Sequence, residues 1–260
     1  MTESNKLEIH RVMHEIKRRR LEVLRVVDLT PRMRRITVGG PELAGFISLG
    51  TDDHVKVFFP QNATEQAALE TMVLGTKDNG PMPAMRDYTP RRYDLESGEL
   101  DLDFVLHGDG PAATWAAQAV PGQFLNIGGP RGSMVVPDIF DSYLLIGDET
   151  ALPAIARRLE GLAANRRARV VIEVENAGER QVLQSPAQLE VTWVRRDAPE
   201  QDLLRTVEQL TIPEGSLYAW VATEAALSRK IRKVLLGSHA LNEEFLKAVG
   251  YWKLDDSTEE

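Results

Sequence analysis

The sequence HGDGPAATWAAQAVPGQFLNIGGPRGS, residues 107–133, joins a strand end, a helix start and a turn-rich return strand. Two glycines interrupt the preceding strand, and Pro111 suits the first position of an alanine-rich helix that carries Thr114 and Trp115. The first turn of such a helix has backbone N–H groups without intrahelical partners, and the helix dipole adds positive charge there. The stretch therefore predicts a pyrophosphate site, although Trp115 by itself fits a plain core position equally well.

The segments on the N-terminal side of this stretch are short and β-rich. Strands are predicted at residues 21–27, 34–40, 54–60 and 99–107, with glycine or proline between them. In the last of them apolar residues alternate with aspartates, which indicates a sheet or small barrel with one buried face. Residues 61–83 are too long and too polar for a tight hairpin, so we expect an excursion from the barrel.

The segments on the C-terminal side alternate between strands and helices. Strands are predicted at residues 143–147, 168–174, 189–194 and 217–222, and helices at 152–164 and 226–236. This alternation is typical of a mostly parallel sheet covered by helices. We therefore predict a two-domain β + α/β fold with an N-terminal extension (1–20), an antiparallel β-barrel (21–138), an α/β domain (139–250) and a C-terminal tail (251–260).

Composition and charge exclude several classes of protein. The chain has 260 residues, 31 Lys and Arg against 39 Asp and Glu, a net charge of −8 and no cysteine. An acidic balance argues against nucleic-acid binding, and without cysteine there are no disulfides, thiolate metal sites or cysteine nucleophiles. No apolar run has the roughly 20 residues of a membrane span. Residues 1–20 lack the apolar core of a signal peptide, so we expect a cytoplasmic protein with no membrane partner.

The basic run KRRR, residues 17–20, is the densest group of positive charges in the chain. We expect it to be a solvated face at the entrance of the first strand rather than a binding patch.

A second polar stretch is RDYTPRRYD, residues 86–94. On a strand, Arg86 and Tyr88 point to the same side, which places a guanidinium beside a phenol. This pair suits a ligand with an anionic phosphate end and a flat aromatic end, because the guanidinium binds phosphate oxygens and the phenol packs on a ring. An edge strand with exposed charges is the alternative.

The sequence GDETALPA, residues 147–154, follows the first strand of the α/β region. In nucleotide-binding α/β domains this loop faces the cofactor at the carboxyl end of the strand. It lacks the GxGxxG pattern, and Asp148 and Glu149 would repel a pyrophosphate; a surface loop with helix-capping acids is the alternative. Arg180, Arg195 and Arg196 follow later strands and are candidates for binding the 2′-phosphate of NADP.

These segments together resemble the siderophore-interacting protein family of FAD-containing, NAD(P)H-dependent ferric-siderophore reductases. The resemblance runs from about residue 21 to residue 253 and rests on DDHVKVFFP (52–60), RDYTPRRYD, residues 103–133 and the terminal GYWK (250–253). It implies an FAD-binding β-barrel followed by a ferredoxin-reductase-like, nicotinamide-binding α/β domain. It also implies that electrons pass from NADPH or NADH through FAD to a ferric siderophore or other ferric chelate, which releases ferrous iron in the cytoplasm.

The resemblance assigns residues to these ligands. The implied FAD contacts are Arg86, Asp87, Tyr88, Thr89, Asp103, Val105, His107, Thr114 and Trp115. The implied nicotinamide contacts are Asp148, Glu149, Thr150, Ala151, Thr223 and Glu224. A basic trio, Lys56, Arg131 and Lys247, would hold an anionic ferric siderophore, although each of the three is compatible with ordinary surface charge. No side chain is expected to act as a catalytic acid, a base or a metal ligand.

Two other functions fit the same sequence. One is a non-catalytic siderophore or flavin carrier that makes no use of nicotinamide, since the GDET loop departs from a glycine-rich cradle. The other is a flavin reductase component that serves a different redox partner. In each case we expect a monomer.

Overall fold

The computed structural model describes residues 8–72 and 82–254 and divides into two compact units, Met1–Pro137 and Asp138–Glu260. The first unit contains β1 (His10–Met13), β2 (Arg18–Thr30), β3 (Met33–Gly39), β4 (Val55–Phe59), α1 (Ala63–Thr71), β5 (Ala84–Tyr88), β6 (Pro90–Asp94), β7 (Glu99–Val105), α2 (Pro111–Gln118), β8 (Phe124–Gly128) and β9 (Gly132–Val135). Within the predicted excursion, helix α1 is described and residues 73–81 lie outside the described residues.

Seven strands of the first unit form one antiparallel sheet in the order β5-β4-β8-β2-β3-β7-β6. Strands β5 and β6 lie at opposite edges of this sheet, yet only Thr89 separates them in the chain. Because three consecutive Cα atoms span less than about 8 Å, the two edges meet there and the sheet curls into a half-barrel. Across this seam the rings of Tyr88 and Phe104 pack with their centroids 4.2 Å apart. The predicted antiparallel β architecture is confirmed, and the RDYTPRRYD segment closes it.

Strand β7 is buried on both faces, so the prediction of one buried and one exposed face is wrong. Its leucines and Phe104 are fully buried, and Asp101 and Asp103 are only 4% and 7% exposed. Asp103 accepts two hydrogen bonds from the Arg35 guanidinium at 2.7 and 2.8 Å, and Asp101 accepts one from the Thr37 hydroxyl at 2.7 Å. Since carboxylates with such partners can be buried, the aspartates do not mark a solvent-facing side.

The basic run at residues 17–20 is only in part the solvated face that the sequence predicts, since Lys17 and Arg20 are exposed and Arg18 and Arg19 are not. Arg19 is buried, lies over the ring of Phe46 at 5.3 Å and donates to the carbonyl of Gly129 at 3.2 Å. Arg18 donates to the carbonyl of Glu70 at the end of α1 at 3.0 Å. Long apolar stems allow arginines to pack inward while their guanidinium groups connect neighbouring segments. Both arginines lie in β2, which begins at Arg18.

The second unit is a five-stranded parallel sheet with helices, which confirms the predicted α/β class. Its elements are β10 (Ser142–Gly147), α3 (Leu152–Glu160), β11 (Arg167–Val174), β12 (Gln188–Arg195), α4 (Leu203–Glu208), β13 (Leu217–Glu224), α5 (Ala225–Gly237) and β14 (Leu246–Trp252). The strand order is β12-β11-β10-β13-β14, so the chain starts at the central strand β10, adds β11 and β12 on one side and then β13 and β14 on the other. Ligands of such sheets bind beyond the carboxyl ends of the strands, at the point where the order of addition switches sides. Within residues 8–72 and 82–254, no helix is long and apolar enough to cross a membrane.

Strand β14 is an element that the sequence analysis did not predict. It places Tyr251 and Trp252, assigned to the C-terminal tail, in the sheet, while residues 255–260 of that tail lie outside the described residues. A Cβ atom on Gly250 would come within 2.7 Å of the Cα of Ala225, so glycine is needed where β14 passes the start of α5. The glycine of GYWK therefore permits a close approach of two backbones.

Candidate functional site

Four aromatic side chains form a cluster along the seam of the half-barrel. The Trp115 ring lies 5.7 Å from Phe104 and 5.9 Å from Phe59, and Tyr88 packs on the other side of Phe104. Phe59 and Phe104 are buried, whereas Tyr88 and Trp115 are half-buried at the edge of the core. Burial raises the pKa of the Tyr88 phenol, so the phenol keeps its proton at neutral pH and remains a hydrogen-bond donor.

The guanidinium of Arg86 is exposed and close to this phenol. Its Nη1 donates to the carbonyl of Met85 at 2.8 Å, and its positive charge opposes the effect of burial on the pKa of Tyr88. The predicted pairing of Arg86 and Tyr88 along one strand is therefore present in β5. A cation beside an aromatic surface is the arrangement that a ligand with a phosphate end and a flat ring requires.

Helix α2 starts at Pro111, as predicted from the glycines before it. Its N-cap residue, Gly110, provides no side-chain hydrogen bond to the first turn, and a Cβ atom there would meet nothing within 4 Å. Gly108 has φ +56°, a conformation that favours glycine. The hydroxyl of Thr114 donates to the carbonyl of Asp109 at 3.1 Å, which holds the turn before the helix. An uncapped eight-residue helix with open space at its start is suited to an anionic group.

The remaining residues with implied FAD contacts occupy different environments. Thr89 is buried at the seam, Val105 is half-buried at the end of β7, and His107 is exposed just after it. Asp103 is engaged by Arg35 in the core, and Asp87 faces Lys56. These residues fit FAD as a group, because the aromatic cluster suits its ring and the start of α2 with Arg86 suits its pyrophosphate.

Two members of the basic trio lie in the first unit. Lys56 and Asp87 are opposite each other on β4 and β5, and the Lys56 Nζ is 2.9 Å from the Asp87 carboxylate. Lys56 is also opposite Gly128 on the neighbouring strand β8. The exposed Arg131 follows Gly128 by three residues, so both cations lie near the start of β4 and the end of β8. Lys247 is half-buried on β14 in the second unit.

The acidic loop after β10 is held by a hydrogen-bond network around Asp148, which is only 2% exposed. Its Oδ1 accepts from the backbone N–H and the hydroxyl of Thr150 at 2.9 and 2.5 Å, and its Oδ2 accepts from the Trp252 indole at 2.8 Å. Burial raises the pKa of Asp148, and these hydrogen bonds oppose that shift. The sequence analysis assigned no role to Trp252. The GYWK segment does contain its indole N–H donor, but this donor is 104 residues from Asp148 in the chain.

Glu149, predicted to repel a pyrophosphate, is paired with Arg196, which also lies within 4 Å of Glu173 and Glu175. The Arg196 guanidinium donates to both Glu149 carboxylate oxygens at 2.8 Å and to Glu173 at 2.9 Å, and the Glu175 backbone N–H donates to Glu149 at 2.7 Å. Burial would lower the pKa of Arg196, but the hydrogen bonds and charges of these carboxylates raise it overall. Arg196 is thereby engaged by acids, which weakens its candidacy for a 2′-phosphate. Arg195 is likewise 3.1 Å from the Asp197 carboxylate, which leaves the exposed Arg180 as the better candidate.

The end of β13 lies beside the end of β10, so Thr223 and Glu224 reach the same sheet edge as the GDET loop. Thr223 is fully buried. Glu224 caps α5, because its Oε2 accepts from the N–H groups of Ala226 and Leu227 at 2.6 and 2.9 Å. These bonds outweigh the effect of burial and lower the pKa of Glu224. The structure therefore gathers the implied nicotinamide residues, with Ala151 in the buried turn after Glu149, at one edge of the parallel sheet.

Comparison with known proteins extends over both units. Residues 22–134 match the model of the siderophore-interacting FAD-binding domain, and residues 140–255 match the model of the siderophore-interacting protein. The NADPH-dependent ferric-chelate reductase of Escherichia coli K12 is 34% identical over 248 residues, which cover 93% of this chain and 95% of that protein. The ferric vibriobactin reductase ViuB of Vibrio cholerae is 34% identical over 242 residues, which cover 90% and 89% of the two chains.

A solved structure is similar over nearly the entire chain. The siderophore utilization protein from T. fusca is 37% identical, with a TM-score of 0.84 over 97% of this chain and 99% of that one.

Proposed function

Because the chain belongs to the siderophore-interacting protein family, we propose that it is an FAD-containing, NADPH-dependent reductase of ferric siderophores. The observation that carries this proposal is the Arg86–Tyr88 pair on β5 within the matched FAD-binding domain, together with the ring contacts that connect Tyr88 through Phe104 to Trp115 of α2. The relatives named as ferric-chelate and ferric vibriobactin reductases support the same electron acceptor. The ferredoxin-reductase-like fold supplies a second domain for the nicotinamide donor.

The first unit provides the groups that would hold FAD. Arg86 would bind pyrophosphate oxygens together with the uncapped N–H groups of α2, and Tyr88 and Trp115 would line the ring system. Bound FAD supplies the conversion between the two-electron chemistry of nicotinamide and the one-electron chemistry of ferric iron. Tyr88, with its raised pKa, would donate a hydrogen bond and carry no charge next to the ring.

The second unit would bind the donor at the carboxyl edge of its sheet. Thr150 and Ala151 lie in the turn after β10, and the side chains of Asp148 and Glu149 are directed to Trp252 and Arg196. Because these partners engage both carboxylates, the loop would present its backbone, rather than these side chains, to the nucleotide. Thr223 and Glu224 would border the same crevice.

Substrate binding would depend on charge rather than on a shaped pocket. Lys56, Arg131 and Lys247 would attract an anionic ferric chelate by long-range electrostatics. Once reduced, iron binds hard anionic oxygen ligands less tightly, so the metal would leave its chelator. No side chain of this chain is required to ligate the metal.

An anaerobic titration tests the function as a whole. We expect NADPH to bleach the visible absorption of the FAD-loaded protein, and a ferric siderophore to restore it while a ferrous-specific chromophore forms. Failure of NADPH or NADH to bleach the flavin would support the non-catalytic carrier. Restoration by a partner protein but not by ferric chelates would support a reductase component for another acceptor.

A Lys247→Glu substitution tests the basic trio. We expect kcat/KM for a trianionic ferric tris-catecholate to fall about tenfold at low ionic strength, because two units of charge change near an anionic substrate. A ferric trihydroxamate without negative charge should respond much less. Lys230→Glu makes the same charge change on exposed α5 and serves as the control. Unchanged rates on the anionic chelate would remove Lys247 from the site.

An Asp87→Asn substitution tests the ion pair with Lys56. Since Asp87 offsets the charge of Lys56 at 2.9 Å, we expect kcat/KM for the trianionic chelate to rise about two- to fivefold, and the gain to disappear at high salt. The Lys56→Gln/Asp87→Asn double variant should lose this gain. If FAD affinity falls while chelate kinetics stay the same, Asp87 serves FAD directly, as the family resemblance implies.

The proposal retains two further expectations from the sequence. We expect the reductase to act as a monomer and to work in the cytoplasm, where NADPH is available. Sedimentation velocity of the FAD-loaded protein and fractionation of cells producing the chain test these two points.

A further inference from the structure

A cavity of about 560 Å³ lies at the amino ends of strands β10, β11, β12 and β13. Its wall includes the first residues of these strands and the segment at 211–213 that leads into β13. Volumes in this range accommodate small organic ligands. Because the strands are parallel and six to eight residues long, about 20 Å separate this edge from the acidic loop after β10. The cavity is therefore separate from the proposed nicotinamide residues.

Ser142 is the first sign that this cavity takes a polar ligand atom. The residue lines the cavity and is only 2% exposed, and its hydroxyl has no hydrogen-bond partner among the described residues. Its backbone N–H is satisfied by the carbonyl of Ser216 at 3.0 Å, so the unpaired group is the side chain alone. An unpaired buried hydroxyl is costly and rare in native proteins. The Oγ atom is closed off from the cavity as the side chain stands, so a ligand would become its partner once the side chain turns toward the cavity.

The charged lining residues define the ligand's charge. Arg169 is fixed in place, since it donates to Glu190 at 2.7 and 3.1 Å and to the carbonyl of Thr211 at 2.8 Å. Arg167 is exposed, and within the described part of the chain its guanidinium makes one hydrogen bond, from Nη2 to the carbonyl of Glu214 at 2.9 Å. Since Glu190 pairs with Arg169, the guanidinium donors that a ligand would meet are those of Arg167, and such donors suit a carboxylate.

Hydrogen bonds from Ser216 lower the pKa of the neighbouring Asp141 carboxyl, and the charges of Arg166 and Arg167 lower it further, so Asp141 offsets part of the Arg167 charge without taking up its donors. Asp141, which precedes Ser142, accepts hydrogen bonds from the backbone N–H and the hydroxyl of Ser216 at 2.9 and 2.8 Å. The side chains of Leu144, Ile212 and Leu217 also line the cavity and supply apolar contact. Arg167 thus offers donors at the mouth of a cavity whose wall is largely apolar.

We propose that this cavity binds a small carboxylic acid with an apolar body. The carboxylate would pair with the free side of the Arg167 guanidinium, whose planar donors match a carboxylate. The body would lie against Leu144, Ile212 and Leu217, and a polar atom of the ligand would reach the Ser142 hydroxyl. This inference does not depend on the proposed reductase function.

Calorimetric titration of the FAD-loaded protein with 4-phenylbutyrate and with its neutral amide tests the site. We expect the carboxylate to bind at least about tenfold more tightly than the amide, and the Arg167→Gln variant to lose this preference. Arg232→Gln, which removes an exposed arginine paired with Glu243 on the same unit, should leave both affinities unchanged. Equal binding of acid and amide, or no heat with millimolar carboxylate, would overturn the proposal.

Two further measurements locate the site and protect the test against misfolding. Ser142→Ala should raise the unfolding midpoint of the free protein, because it removes the unpaired hydroxyl, and should weaken 4-phenylbutyrate severalfold. Saturating NADPH should leave 4-phenylbutyrate binding unchanged, and competition between them would place the acid at the nucleotide edge instead. If Arg167→Gln does not fold, Arg167→Lys keeps the charge, loses the planar donors and should still bind the acid more weakly.

Discussion

An Arg86→Gln variant is expected to bind FAD about 100-fold more weakly than the parent chain. Arg86 is the exposed cation beside the Tyr88 phenol on β5, and its loss would leave pyrophosphate oxygens without a charged donor, a change worth about 2–5 kcal/mol in buried charge pairs. Quenching of flavin fluorescence during titration of the deflavinated protein measures this dissociation constant. The variant should also purify with less flavin than the parent.

Arg25→Gln provides the matched control for this experiment. Arg25 is an exposed arginine of the same half-barrel and pairs with Glu99 at 2.6 and 2.8 Å, away from the proposed flavin site. Its substitution should leave the dissociation constant for FAD unchanged. If Arg86→Gln binds FAD as the parent does, the assignment of Arg86 to the pyrophosphate is wrong.

An Arg196→Gln variant is expected to lower the free energy of unfolding of the α/β unit by about 2–3 kcal/mol. The substitution removes the guanidinium that donates to both carboxylate oxygens of Glu149, whose side chain is 10% exposed. A buried carboxylate without its partner is strongly destabilising, and the partial exposure of Arg196 moderates the effect. Urea unfolding followed by circular dichroism measures the loss.

The double variant Glu149→Gln/Arg196→Gln separates the ion pair from other roles of Arg196. With both charges removed, part of the lost stability should return, because Glu149 is then neutral while Glu173 still lacks its Arg196 partner. If Arg196 instead binds the 2′-phosphate of NADPH, the single variant would keep its stability and raise the KM for NADPH without raising the KM for NADH.

The parts of the fold that follow from short segments were predictable from the sequence. Strand β10 and helix α3 lie within a few residues of their predicted bounds, and the start of α2 at Pro111 follows from the glycines before it. The pairing of Arg86 and Tyr88 on one side of β5 also follows from the two-residue repeat of a strand. In each case the interactions that matter involve residues near each other in the chain.

The parts that depend on distant residues were not predictable in this way. Glu149 and Arg196 are 47 positions apart, and Asp148 and Trp252 are 104 apart, so neither pair has a signature in a local window. The burial of Arg19 depends on where Phe46 and Gly129 lie after folding. Charges in the sequence predict solvent exposure until their partners are known, which is why the burial of Arg19 and the pairing of Glu149 with Arg196 were missed.

The single residue between β5 and β6 restricts how this chain can vary. Thr89 joins opposite edges of the seven-stranded sheet, so an insertion or deletion there would shift one edge strand against its neighbour and turn its side chains to the other face. Arg86 and Tyr88 lie within three residues of this junction. The length of this segment is therefore as constrained as its composition.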